Sequence, residues 1–268
     1  MIGTSKIATR PAALRTGEGN FPRRTIKRVF GIAPVALIAT FMFASPALAQ
    51  DEEEEDPSSI EISGNATLVT DYRFRGVTFS DEDIAIQGGI DIGHESGFYI
   101  GTWASSIEDS ALYGHTELDI YGGWSGEVAS GVSVDVGLLY YVYPNGEDAV
   151  GDSDYFEPYA SITAALGPVE ATVGAAYAPE QGTALADDNI YVYGDLGTSI
   201  PDTGISLAAH LGYSEGSLDY GSGGYLDWSL GASYSYDILT LGVAYIDTDL
   251  PNAPGQDGAV VFSLGASF

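Results

Sequence analysis

Alternation of apolar and polar side chains, sustained from Ile60 to Phe268, constrains this 268-residue chain more than any other feature. Successive side chains of a strand point to opposite faces, so strict alternation over about ten residues gives a strand with one apolar and one polar face. Ile60, Ile62, Ala66 and Leu68 alternate with Glu61, Ser63, Asn65 and Thr67. The pattern recurs as Ile84/Ile86/Ile90/Ile92, as Val132/Val134/Val136/Leu138/Tyr140 and, at the end, as Val260/Phe262/Leu264/Phe268. Twelve segments follow, at roughly 60–72, 83–93, 98–105, 116–126, 131–143, 155–166, 169–178, 189–199, 204–213, 225–236, 238–246 and 258–268. The expected fold class is all-β.

The connections alternate in length. Short ones are His94-Glu95-Ser96-Gly97, 127–130, Gly167-Pro168, 200–203 and Asp237. Longer ones, rich in Gly, Asp, Ser and Pro, fall at 73–82, 106–115, 144–154, 179–188, 214–224 and 247–257. An even strand number with short turns at one end and long loops at the other predicts a transmembrane antiparallel β-barrel, with short periplasmic turns and longer extracellular loops. Closure also removes the edges that so long a sheet would expose.

A soluble sandwich or lipocalin-like barrel is the competing architecture, and two features favour the membrane version. Tyr72, Tyr177, Tyr213 and Tyr245 close the apolar faces of four strands that run into long loops, and Trp124, Tyr236 and Phe268 stand at the other rim. Aromatics at both ends of an apolar band match interfacial girdles. The opposite face carries Glu61, Asp91, Glu117, Asp119, Asp135, Glu170 and Asp195, too many carboxylates for a dry core and suited to a wet lumen.

Charge is distributed unevenly. Seven of the nine basic residues lie in the first 28, ahead of an apolar run from Val29 to Ala44 and the stretch Ser45-Pro46-Ala47-Leu48-Ala49. Basic region, apolar core and small-x-small site predict a secretory signal peptide over 1–49, cut after Ala49. An acidic run, Asp51 to Asp56, makes 50–59 a disordered lead-in, because like charges repel and nothing there can be buried. The barrel then occupies 60–268. Beyond residue 49 only Arg73 and Arg75 are basic, against all of the 38 acidic residues except Glu18. That balance excludes nucleic acid as a partner, which needs clustered Lys and Arg. The absence of cysteine removes disulfides, thiolate metal sites and cysteine nucleophiles together.

The segment Thr70-Asp71-Tyr72-Arg73-Phe74-Arg75-Gly76-Val77-Thr78 resembles the opening signature of the TorF-type putative porins. Gln87-Gly88-Gly89, Gly97-Phe98-Tyr99-Ile100-Gly101-Thr102-Trp103, Glu117-Leu118-Asp119-Ile120-Tyr121-Gly122-Gly123 and Tyr140-Tyr141-Val142-Tyr143-Pro144 are similar to that family's motifs too. The ending Val260-x-Phe262-x-Leu264-x-Ala266-x-Phe268 resembles the assembly signal of outer-membrane barrels. The resemblance implies a bacterial outer-membrane barrel with a channel role, contacts with membrane lipid, and recognition of the last strand by the barrel-assembly machinery.

The expected function is passive diffusion of small hydrophilic solutes through a cation-preferring lumen. Its candidate lining is Glu61, Asp71, Asp91, Glu117, Asp119, Asp135, Glu170 and Asp195, with Arg73 and Arg75 paired to carboxylates or forming a positive spot that tunes passage. Two alternatives stand beside it: a barrel enzyme acting on lipids or peptides, with His210 the first residue to test, and a closed structural or adhesive barrel. No nucleophile elbow, phosphate loop or zinc spacing is present, so no catalytic residue, metal or cofactor is assigned.

Overall fold

The computed structural model describes residues 59–268 except 148, 183, 184 and 252. The expected signal peptide and residues 50–58 of the acidic lead-in lie outside the described residues. Twelve antiparallel strands close into a barrel in sequential order. They are β1 (Ile60–Val69), β4 (Ala85–His94), β5 (Phe98–Ser110), β6 (Gly114–Ala129), β7 (Val132–Val142) and β8 (Tyr155–Leu166), then β9 (Val169–Ala178), β10 (Asn189–Ile200), β11 (Ile205–Gly216), β12 (Tyr225–Tyr236), β13 (Leu239–Thr248) and β14 (Ala259–Ser267). Two further short strands, β2 (Arg73–Phe74) and β3 (Val77–Thr78), form a separate hairpin within the first long connection.

The seam lies between the first and last strands. β1 pairs with β4 on one side, as in Ile62↔Ile92, and with β14 on the other, as in Leu68↔Leu264. Beyond β14, Phe268 exchanges backbone hydrogen bonds with Gly64 at 2.9 and 3.0 Å, so the closing ladder runs to the last residue. Each unpaired backbone group would cost several kcal/mol in hydrocarbon, which is why a lipid-spanning sheet must close.

Period two decides which way each side chain points. Ile62, Val173 and Leu230 are 68%, 70% and 63% exposed on the outer face, while their polar neighbours turn inward. A water-soluble barrel would bury those residues; here they form the apolar band that faces lipid.

Two departures from the expected boundaries bear on the lumen. The connection expected at 106–115 shrinks to 111–113, because β5 and β6 continue as a paired hairpin beyond the band. A register shift between Ser106 and Ser110 accommodates the extra length, as a bulge bends a strand without ending it. The first strand, expected to reach residue 72, ends at Val69. From there the chain leaves the wall and enters the lumen, and every residue from Asp71 to Val77 is buried irrespective of parity.

Candidate functional site in the barrel lumen

The hairpin β2–β3 fills the lumen at the end that carries the long loops. Its tip is Arg75-Gly76, with φ of +46° and +86°. Positive φ at both central positions is what a two-residue type I′ hairpin requires, and an arginine there is a strained choice. Gly76 meets its neighbours closely: a Cβ at that position would stand 2.9 Å from Asp227 Cβ on β12 and would also clash with Thr248.

Local hydrogen bonds hold the segment in shape. The Arg73 Nε donates to Asp71 Oδ2 at 2.6 Å, and Thr78 Oγ1 donates to Asp71 Oδ1 at 2.5 Å. Others tie it to the wall and to the last long loop: Arg73 Nη1 donates to the Asp257 carbonyl of that loop at 2.7 Å, Glu108 N to the Phe79 carbonyl at 2.8 Å, and Tyr225 OH to the Arg75 carbonyl at 3.0 Å. Aromatic edges complete the fit, with Tyr72 against Trp103 at 5.6 Å and Phe74 against Tyr141 at 6.0 Å. A cavity of about 30 Å³ lies along one flank, lined by Val69, Asp71, Arg73, Gln87, Ala244 and Ser263 among others.

The ion pair that joins plug to wall is Arg75–Glu157. Arg75 Nη2 lies 2.5 Å from Glu157 Oε1, and both side chains are 0% exposed. The guanidinium also stacks 4.3 Å from the centre of the Tyr191 ring. Removing one partner of a fully buried pair costs about 3–5 kcal/mol, so this contact outweighs any single neutral hydrogen bond around it.

Two arginines cannot pair with so many carboxylates, and tyrosine hydroxyls donate hydrogen bonds to others. Tyr121 OH donates to Asp91 at 2.5 Å, Tyr99 OH to Asp135 at 2.6 Å, and Tyr72 OH to Glu117 at 3.1 and 3.2 Å. Tyr141 OH donates to Glu157 at 3.2 Å and Tyr191 OH to Asp227 at 3.1 and 3.2 Å. A hydroxyl bonded to a carboxylate contributes about 1.5–3 kcal/mol, more than a neutral pair does.

His210 on β11 bridges neighbouring strands. Its Nδ1 lies 2.6 Å from Asp195 Oδ1 on β10, and its Nε2 lies 3.1 Å from Asp227 Oδ1 on β12 and 2.8 Å from Tyr191 OH. Both ring nitrogens are therefore engaged by neighbours.

The candidate lining residues separate into two levels. Asp71, Arg73, Arg75, Glu117 and Asp119 are buried in the plugged half. Arg73 and Arg75 thus belong to the inserted hairpin and not to the barrel wall. Glu61 and Glu170 are exposed toward the short-turn end, and Asp195 keeps 42% of its side chain accessible on the inward face. Asp91 and Asp135 lie between them, held by their tyrosines.

Of the expected girdle aromatics, Tyr177, Tyr213 and Tyr245 stand on the outer face with hydroxyls bonded to Asp188, Glu215 and Asp247. Trp124 bonds the Ser96 carbonyl at 2.9 Å, and Tyr236 and Phe268 are 73% and 79% exposed. Tyr72 is a correction. It is 1% exposed inside the lumen, because the chain leaves β1 before reaching it and parity no longer applies. Sequence reasoning also missed Glu157 and Asp227 as site residues. Asp227 precedes Trp228 in an alternating strand, so parity alone placed it inward; Glu157 lay in one of the weakest alternating segments.

The model of the Gcw_chp family, described as a bacterial protein of unknown function, matches residues 53–266. The chain belongs to that family. None of the curated proteins is similar enough in sequence to match. Among solved structures, this Gcw_chp protein resembles the KdgM porin in complex with disordered oligogalacturonate, with a TM-score of 0.50 and 11% identity over 77% of this chain and 97% of that one. LpxR from Salmonella typhimurium follows at 0.45 and 8%, covering 77% and 99%. The outer membrane protein OpdK from Pseudomonas aeruginosa follows at 0.42 and 13%, covering 69% and 57%. At 11% identity the likeness to the KdgM porin speaks for the fold alone, that of an outer-membrane barrel.

Proposed function

We propose that this Gcw_chp protein is an exported outer-membrane channel for small hydrophilic cations, narrowed by its first long loop. One observation carries the reading. Below the plug, the inward face presents Glu61, Asp91, Asp135, Glu170 and Asp195, whereas both arginines beyond residue 49 sit in the plug. Carboxylates lining a low-dielectric pore raise local cation concentration and repel anions. The resemblance of 70–78 to the TorF-type porins and the porin-like fold support the same reading. His210 spends both nitrogens on carboxylates and Tyr191, an arrangement that suits bracing a wall better than activating a nucleophile.

The test is the zero-current potential of refolded protein in a planar bilayer under a KCl gradient. We expect cation selectivity in dilute salt that fades in concentrated salt, as the Debye length falls from about 10 Å at 0.1 M to about 3 Å at 1 M. An anion-selective potential would overturn the preference. A barrel that never conducts would favour the second reading, a closed structural barrel, to which the filled upper lumen gives weight.

Orientation follows from the same reading, with the long loops outside and both termini in the periplasm. Epitope tags at Asn145-Gly146 and Gly221-Ser222 should be labelled on intact cells, and a tag at Gly167-Pro168 should not. The opposite labelling pattern reverses the barrel.

A further inference from the structure

We propose that the wall pocket occupied by Arg75 is a recognition site for guanidinium cations, with the plug's arginine as its built-in occupant. This deepens the channel reading by naming a solute class, and it rests on the lumen being the solute's path.

The pocket belongs to the wall. Glu157 on β8 supplies the carboxylate, Tyr141 on β7 orients it through the bond to Oε2, and Tyr191 on β10 supplies the ring face. Tyr155 stacks on Tyr141 at 4.4 Å and closes the side. A carboxylate beside an electron-rich ring is the environment that a planar, weakly hydrated guanidinium prefers.

The occupant fills this pocket imperfectly. A guanidinium carries five N–H donors. In Arg75 the bond to Glu157 uses Nη2, while Nε and Nη1 are buried without a hydrogen-bond partner. Its backbone is held at φ +46°, a conformation that L side chains rarely adopt. A structural plug could place glycine or asparagine at that turn, so strain and unspent donors point to the side chain's charge as what the position requires.

The wall also holds carboxyl groups that Arg75 does not engage. Asp119 on β6 shares the inward face of its strand with Glu117, two residues away, and its Oδ1 is buried with no hydrogen-bond partner. A free solute that carries a guanidinium at one end and an ammonium at the other matches this arrangement better than the plug does. The guanidinium would take the place of Arg75, and the ammonium would meet the Glu117–Asp119 pair. Such a solute competes with the plug for its own anchor.

The experiment uses the full refolded chain in detergent, with agmatine as probe and putrescine, a diammonium without guanidinium, as control. Calorimetry should show agmatine binding the Arg75→Ala variant at least tenfold more tightly than wild type, and more tightly than putrescine. The gain should vanish in the Arg75→Ala/Glu157→Gln double variant. Equal affinity for wild type and Arg75→Ala, or a gain that survives loss of Glu157, overturns the proposal. Heat-modifiable mobility verifies folding of each variant. If Arg75→Ala does not fold unaided, its refolding yield with agmatine decides: rescue supports the site, and no rescue overturns it. Binding without any bilayer current would leave the site standing and end the channel reading. A cation-selective current with no agmatine binding would do the reverse.

Discussion

Replacing Glu157 with Leu is expected to release the tip of the plug and raise the current through the barrel. The substitution leaves the Arg75 guanidinium, 0% exposed, without its one carboxylate partner among the described residues. The cost of about 3–5 kcal/mol falls on the docked state alone, since an undocked Arg75 regains water. At about 1.4 kcal/mol per factor of ten, the docking equilibrium shifts by roughly a hundredfold or more. The Tyr225–Arg75 carbonyl bond and the Phe74–Tyr141 contact oppose release but are neutral and individually weaker. The Arg73–Asp71 pair lies within the segment and travels with it. Hydrogen exchange of the amides of residues 72–80 should accelerate, and single-channel current should grow several-fold. Unchanged protection and unchanged current together would show that Arg75–Glu157 does not hold the plug.

The second large effect is expected from Gly101→Val on β5. Gly101 lies under the Tyr121 ring of β6, and a Cβ there would stand 2.5 Å from the ring and 2.6 Å from Asp91 Oδ1. Both the overpacking, about 1–3 kcal/mol, and the displaced Tyr121–Asp91 bond, about 1.5–3 kcal/mol, count against the folded barrel. Urea unfolding in lipid vesicles should show a loss of several kcal/mol. Gly194→Ala is the control, because the nearest atom to its added Cβ is the Thr172 carbonyl oxygen at 3.7 Å. That change should stay within about 0.5 kcal/mol. Comparable losses in the two variants would deny that the lumenal tyrosines need a bare backbone beneath them.

The tyrosine–carboxylate pairs explain how so acidic a chain fills its interior. A lysine or arginine opposite every lumenal acid would neutralise the wall; a phenol hydroxyl satisfies a carboxylate oxygen and adds no charge. The carboxylates are therefore fixed in place without a cation beside each of them. Tyrosines on the polar face of alternating strands, such as Tyr99, Tyr121 and Tyr191, are the sequence signal of this device. They are easily overlooked, because an aromatic residue is read first as part of the apolar face.

Most of the architecture was written in local pattern. Alternation from Ile60 to Phe268 gave twelve strands, the sequential antiparallel order and the assignment of inner and outer faces, because parity is a property of each strand by itself. Gly and Pro at the ends of segments marked the turns for the same reason. The plug was decided only by the tertiary structure. Parity placed Arg73 and Arg75 inward with Glu61 and Asp71, at the start of the first long connection, but the strand stops at Val69 and the following residues make partners far away in sequence. Arg75 reaches Glu157 across 82 residues, and Arg73 reaches the Asp257 carbonyl across 184. His210 gained Asp195 and Asp227 in the same way, from the register of β10, β11 and β12. A period of two tells a side chain which face it occupies. Which residue stands across the lumen is set by the number of strands, their stagger and the closure of the barrel, and these are properties of the whole sheet.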